Sequence, residues 1–224
     1  MSEYAISLIL RHGERADAVE EYKGTYEVSF DPCLTSLGLK QAYTASATIK
    51  PYAEKFKKEK IYIYSSPLIR CMQTAAQTIL GLGLEKTHKI ILQSHLIEEM
   101  FLCHFPMDPI KNGLITKKTH EHIRDTFLSG VDFVADGVIP LPYPEEYSQS
   151  AQRFADGFYS ILERHAEESA LVIMVSHGRG LEEFNRYFGE SVTSMCKYCG
   201  ISGVKKQSVD DQWKLFISNK ETID

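Results

Sequence analysis

Leu8-Ile9-Leu10-Arg11-His12-Gly13-Glu14-Arg15 ends an apolar run that begins at Ala5 and stops at an Arg-His-Gly turn. The run from Ala5 to Leu10 lacks the polar alternation of a half-exposed strand. It predicts a strand covered on both faces in a parallel sheet, and Gly13 permits the tight turn that follows. In open α/β sheets, ligands bind where strands end in this way. A histidine between Arg11 and Arg15 has its protonated form disfavoured by like charges, which leaves a neutral imidazole in an anion-attracting site. That combination suits nucleophilic attack on phosphorus. Taken alone, the octapeptide fits an ordinary loop histidine equally well.

Outward from the turn, the next strongest signal is Ala170 to Val175, an apolar run that ends at Ser176-His177-Gly178 and repeats the order strand, histidine, glycine. Ile61 to Tyr64 reads as another strand. Ser65-Ser66-Pro67 ends it and opens a helix with Ser66 as N-cap and Pro67 in the first turn. Leu68, Met72, Ala75 and Ile79 give that helix a core face, and Gly81 closes it. Arg70 lies in its first turn, where a cation opposes the helix dipole and so points to a bound anion. Lys89 to Gln93 predicts a further strand, and Glu98-Glu99 beyond it offers a candidate proton donor. Successive strand ends thus bring Arg11, His12, Arg70, Glu98 and His177 to one edge of one sheet.

The remaining segments frame that edge. Ala16 to Phe30 reads as a loop, and Thr35 caps a helix over Leu39 to Ile49 that runs towards Pro51. Phe101 to Tyr147, broken by Pro106, Pro109, Pro140, Pro142 and Pro144, reads as an insertion covering the site, with one helix around Thr119 to Leu128. Ser148 to Glu168 predicts an amphipathic helix with Phe154, Phe158, Ile161 and Leu162 on its apolar side. Leu181 to Phe188 predicts a last helix, and Ile201 to Lys206 with Lys214 to Ser218 a closing hairpin. Cys196-Lys197-Tyr198-Cys199 has CxxC spacing, but no second pair matches it, so it reads as packing in preference to a zinc or redox site. His120-Glu121-His122 and Cys103-His104 fall at no strand end and read as surface or packing residues.

With 224 residues and 43% apolar content, the chain is expected to form a single domain over residues 1–224. Its 25 basic and 30 acidic residues leave a formal charge of -5, which argues against nucleic acid or an anionic membrane as partner. Any phosphate site must be a local basic pocket. No apolar run is long enough to span a bilayer and no signal-like segment opens the chain, so a cytoplasmic location is expected. Five cysteines, an odd number, fit reduced thiols better than a disulfide framework.

Arg11-His12-Gly13, Ser65-Ser66-Pro67 with Arg70 and Thr74-Ala75, and Ser176-His177-Gly178 resemble the three signature blocks of the histidine phosphatase superfamily, the phosphoglycerate-mutase-like proteins, branch 1. Within it, Arg11 to Asp17, the Asp31-Pro32-x-Leu34-Thr35-x-x-Gly38 loop and Tyr198-Cys199-Gly200 resemble the phosphatase domain of the suppressors of T-cell receptor signalling and of ecdysteroid-phosphate phosphatase. Those proteins carry a tryptophan after the acidic segment, where this chain has Met100 to Cys103. Arg15 stands where mutases have a small polar residue, and Gly178 where the acid-phosphatase and phytase branch has aspartate.

The resemblance implies a three-layer α/β/α sandwich around a mostly parallel sheet, and a phosphomonoesterase forming a phosphohistidine on His12. It implies a phosphate pocket of Arg11, Arg15, Arg70 and His177, with no metal and no cofactor. In the mechanism that follows, the arginines and a protonated His177 hold the phosphoryl oxygens while Glu98 protonates the leaving group and then activates water, with Glu99 as the fallback. Phe101, Phe105, Tyr143 and Tyr147 suggest aryl phosphates, including phosphotyrosine, as substrates. A phosphoglycerate mutase or sugar bisphosphatase, and a non-catalytic phospholigand-binding module, stay open beside this reading. So does assembly as a homodimer.

Overall fold

The computed structural model describes residues 4–84, 88–191 and 196–221. Seven strands form one sheet, β1 (Ala5–Arg11), β2 (Ile61–Ser65), β3 (Ile90–Gln93), β4 (Phe133–Gly137), β5 (Leu171–Ser176), β6 (Ile201–Lys206) and β7 (Lys214–Lys220). Their order is β4-β3-β2-β5-β1-β6-β7. β1 to β5 run parallel, while β6 joins β1 antiparallel and β7 joins β6 antiparallel. The expected closing hairpin is therefore present. The first strand, however, has a parallel neighbour on one side only.

Both faces of β1 are covered, as its unbroken apolar run requires. Ile6, Leu8 and Leu10 pack with α1 (Ser36–Ala53) and α2 (Ile69–Gly81), in one core that includes Ala42, Ile49, Met72, Ala75 and Ile79. Ile9 packs on the opposite face with Phe154, Phe158, Leu181 and Phe184 from α5 (Tyr147–Arg164) and α6 (Gly178–Tyr187). The result is a helix–sheet–helix sandwich. A third apolar cluster, Leu68, Ile97, Met100, Phe105 and Ile110, sits apart from these two and gathers Phe30 and Tyr143 against it.

Residues 101–147 hold more structure than their composition suggests. Besides α4 (His120–Phe127), the helix expected around Thr119 to Leu128 and capped by the Thr119 hydroxyl, they contain the short α3 (Pro109–Asn112) and the edge strand β4. His120 stacks on Phe133 with ring centroids 4.1 Å apart, a packing role as expected.

The start of α2 differs from expectation, while its last residue is Gly81, as the sequence reads. Helix α2 begins at Ile69, not at Pro67, because Asp31 Oδ1 accepts the Ile69 N–H at 2.9 Å and takes over the cap that Ser66 was expected to supply. Its C-terminal turn is made by Gly83, at φ +67°, while Gly81 lies where an added Cβ would fall 2.2 Å from Ser46 Oγ of α1.

Candidate functional site

Level strand ends create the site. Arg11 pairs with Ser176 and Ser65 with Val175, so β1, β5 and β2 stop together and their following residues meet. The His12 and His177 rings lie 5.3 Å apart at 66°. Glu98 enters from the segment after β3, with Oε2 3.3 Å from His177 Nδ1 and 3.8 Å from Arg70 NH2. Arg11, His12, Arg70, Glu98 and His177 are thus brought together.

His12 is 1% exposed. Its Nδ1 lies 2.7 Å from the Gly13 carbonyl, which can only accept, so a neutral ring carries its proton on Nδ1 and keeps a lone pair on Nε2. Burial is the first cause of a pKa well below the ordinary histidine value, followed by Arg70 and His177, with Arg11 a lesser contributor. The neutral imidazole read from the sequence stands, but for a different main reason. Gly13 also fixes the turn: its N–H donates to Thr74 Oγ1 at 3.1 Å, and a Cβ in its place would lie 2.4 Å from the Gly38 carbonyl oxygen.

Arg70 is 2% exposed, and its nearest acidic oxygen is Asp31 Oδ1 at 3.6 Å. Its Nε and NH1 have no hydrogen-bond partner among the described residues. A buried guanidinium with open donors costs ~1–3 kcal/mol for each unmade bond, so the place suits a ligand rich in oxygens. Arg11 is braced from behind, its NH1 donating to the Cys196 carbonyl at 2.5 Å and its guanidinium 4.4 Å over the Tyr198 ring. Arg15 is a third exposed, with two donors held by the Asp17 carboxylate. Those hydrogen bonds raise its pKa.

In the unliganded site His177 is neutral, whereas the protonated ring expected from the sequence belongs to a site that holds a phosphoryl group. Burial, reinforced by Arg70 and only partly offset by Glu98, lowers its pKa to about 4, so the unliganded ring is neutral near pH 7. Its Nε2 lies 2.9 Å from Ser66 Oγ. For Glu98, burial opposes ionisation, but His177 and Arg70 outweigh it and hold the carboxyl well below the usual range. Glu99 turns away to Arg179 at 3.3 Å, and burial raises its pKa.

A cavity of about 560 Å³ opens over these groups, with Arg11, Arg15, Arg70 and Glu98 among its lining residues. The two histidines are buried and are not among those lining residues. Phe30 gives the cavity an aromatic wall with the buried Phe105 edge-on against it, and Asp17, Glu99, Glu182 and Arg179 stand around it. Cys103 and His104, read from the sequence as surface or packing residues, also line it. Of the other expected aromatics, Phe101 stacks on His104, Tyr143 donates to the Phe105 carbonyl at 2.6 Å, and Tyr147 lies 4.3 Å beneath the Arg179 guanidinium.

One nitrogen each from His12 and His177 and one Glu98 oxygen lie within 4.8 Å of one another, a spacing that invites a metal ion. The surroundings do not fit one. Arg70 stands 3.8 Å from the same carboxylate and Arg11 and Arg15 face the same cavity, so fixed cations oppose a dication. Nor does the CxxC segment supply thiolates, since burial pushes both Cys196 and Cys199 up to about 12. It serves instead as backing, with the Cys199 N–H donating to the His12 carbonyl at 3.3 Å.

Sequence reasoning gave no role to Asp31, Thr74 or Tyr198 and made Ser66 only a helix cap, although each stood inside a quoted block. Their contacts arise only on folding.

Comparison with known proteins places these residues in a wider pattern. The family model described as histidine phosphatase superfamily (branch 1) matches residues 7–195. Ubiquitin-associated and SH3 domain-containing protein A of Mus musculus is 24% identical over 210 residues, 80% of this chain and 32% of that protein, so the chain spans about a third of its length. An ecdysone phosphate phosphatase from Bombix mori, solved with tungstate, superposes with a TM-score of 0.68 at 18% identity, covering 96% of this chain and 93% of that one. A phosphoglycerate mutase from Bacillus anthracis str. Sterne superposes at 0.64 and 15% identity, with 98% and 95% covered. The two structures speak for a shared phosphoglycerate-mutase-like fold, whereas the family match runs through every strand-end residue from Arg11 to His177. The chain belongs to branch 1 of the histidine phosphatase superfamily.

Proposed function

We propose that this protein is a phosphomonoester hydrolase that works without a metal, through a phosphohistidine intermediate on His12. The observation that carries this reading is the pairing of His12, its Nδ1 hydrogen committed to Gly13, with a buried Arg70 whose donors are open. Phosphoryl transfer asks for a free nitrogen lone pair and fixed positive charge at one point.

In the first step His12 Nε2 attacks phosphorus in line. The N–P bond forms as the P–O bond to the leaving group breaks, and Glu98 gives its proton to the departing oxygen. In the second step Glu98 takes a proton from water, whose oxygen bonds to phosphorus as the N–P bond breaks and inorganic phosphate is released. Arg11, Arg15, Arg70 and His177 hold the non-bridging oxygens and offset their charge. Glu98 now lies against His177 and Arg70, donors that a bound dianion would take over. The dianion's charge beside the freed carboxyl raises its pKa and loads it with the proton it must give, and it turns His177 towards the cationic form in the same way.

The substrate class proposed is aryl phosphates, including phosphotyrosine, with Phe30, backed by the buried Phe105, as the ring-packing surface. Asp17, Glu99 and Glu182 around the cavity oppose a second phosphate group, which favours a monophosphate over the mutase and sugar-bisphosphatase readings. His12→Ala tests the core of the proposal. Turnover is expected to fall ~10³-fold or more while the fold persists, and an acid-labile phosphoryl-enzyme trapped in wild type is expected to vanish. Near-normal turnover would end the phosphohistidine mechanism.

A further inference from the structure

We infer that Arg153, locked to Glu145, is the positioning residue that sets the backbone of Glu98; this rests on the proposed role of Glu98 as general acid and base. The segment from Ser94 to Met100 leaves the sheet at β3 and makes little regular structure after a single 3₁₀ turn over Ser94–Leu96. Its carbonyls need partners from elsewhere. Arg153 of α5 supplies three: NH1 donates to the His95 and Ile97 carbonyls at 2.8 and 2.9 Å, and NH2 to the Glu98 carbonyl at 3.2 Å. The remaining donors, Nε and the second NH2 hydrogen, go to the two Glu145 oxygens at 2.6 and 3.0 Å. All five guanidinium hydrogens are thereby used.

Glu145 completes the clasp from the other end. Its Oε2 accepts the Met100 N–H at 3.1 Å, and its own N–H donates to the Met100 carbonyl at 3.0 Å. The two side chains are 5% and 2% exposed, so the pair sits in low dielectric, where charged partners hold geometry rather than fluctuate. Glu98 is therefore gripped through its backbone on one side while its carboxylate faces Arg70 and His177 on the other. Such an arrangement lets the carboxylate leave those donors for a substrate without the main chain shifting. A lysine cannot reproduce it, because an ammonium lacks the planar fork that spans three carbonyls and a carboxylate.

The test compares kcat/KM for phenyl phosphate and nitrophenyl phosphate in wild type, Arg153→Lys, Glu145→Gln and Glu98→Gln, with tungstate affinity and a denaturation midpoint measured for each. Misplacing a catalytic group by ~1 Å costs ~10²-fold, so Arg153→Lys is expected to lower the phenyl-to-nitrophenyl ratio by ~10- to 100-fold while tungstate affinity holds. Glu145→Gln, which keeps the three carbonyl contacts, is expected to move the ratio the same way by less, and reads the same effect if the lysine variant folds poorly. An unchanged ratio, with both substrates slowed equally and the midpoint lowered, would reduce Arg153 to packing and overturn the inference. If Glu98→Gln leaves the ratio unchanged too, the role given to Glu98 falls and this inference falls with it; if only Glu98→Gln changes it, this inference alone fails.

Discussion

Glu98 and Glu99 are neighbours in sequence but differ in the cation each meets, and that difference is the ground for proposing Glu98 as the proton donor. Glu98 faces Arg70 and His177, whereas Glu99 pairs with Arg179 beside the Tyr147 ring. A nitrophenolate leaves without help, while an alkoxide or plain phenolate needs a proton, so loss of the acid must fall on the second class of substrate. General acid catalysis contributes ~10²- to 10⁴-fold, and Glu98→Gln is expected to show a differential of that size between alkyl or tyrosyl phosphates and nitrophenyl phosphate. Glu99→Gln should leave the ratio unchanged. Burst kinetics must accompany the comparison, because if phosphohistidine breakdown limits turnover both substrates slow together in Glu98→Gln. Leaving-group dependence in Glu99→Gln alone would move the assignment by one residue.

At the next scale, the first turn of α1 meets the loop after β1 backbone to backbone. Thr35 caps α1 by accepting the Gly38 N–H at 2.9 Å and reaches Glu14 Oε1 at 2.8 Å through its own hydroxyl hydrogen. An added Cβ on Gly38 would fall 2.3 Å from the Glu14 carbonyl oxygen, a backbone atom that cannot swing aside. Gly38→Ala should therefore cost ~1–3 kcal/mol of stability and displace the His12 turn, which a lowered denaturation midpoint together with reduced kcat would record. A variant that melts and turns over like wild type would show that the contact relaxes freely. The Thr35 cap at this junction is legible in the sequence, and so are β1 and β5, because unbroken apolar runs leave few choices. The start of α2 is not, since its cap comes from Asp31, 38 positions earlier in the chain. Strand β4 escapes for a related reason: Phe133 to Gly137 is short and lies at a sheet edge, where pairing with β3 and not local pattern makes it a strand. The Arg153–Glu145 clasp and the place of Cys103 and His104 on the cavity wall are likewise products of packing.

Over the whole molecule a formal charge of -5 surrounds a sheet edge where Arg11, Arg15 and Arg70 converge, so net charge and local field point in opposite directions. No helix among the described residues is long and apolar enough to cross a membrane. Two ligands compete for such an edge in principle: a metal ion on His12, Glu98 and His177, or an oxyanion on the arginines. The open donors of the buried Arg70 favour the oxyanion, since only an acceptor-rich ligand relieves them. A ligand that binds only the folded chain stabilises it by RT ln(1 + [L]/Kd), ~2.7 kcal/mol at a hundredfold excess over Kd. For a chain of this size that corresponds to a rise in melting temperature of ~5–10 °C. Vanadate or tungstate should therefore inhibit turnover and raise the melting temperature together, and Arg70→Met should lose both responses. EDTA should change neither quantity in wild type, because no step of the proposed reaction draws its positive charge from a metal. Inactivation by EDTA that zinc reverses, or an oxyanion shift that survives in Arg70→Met, would place the ligand on the histidines and Glu98 instead and remove the arginines from the centre of the site.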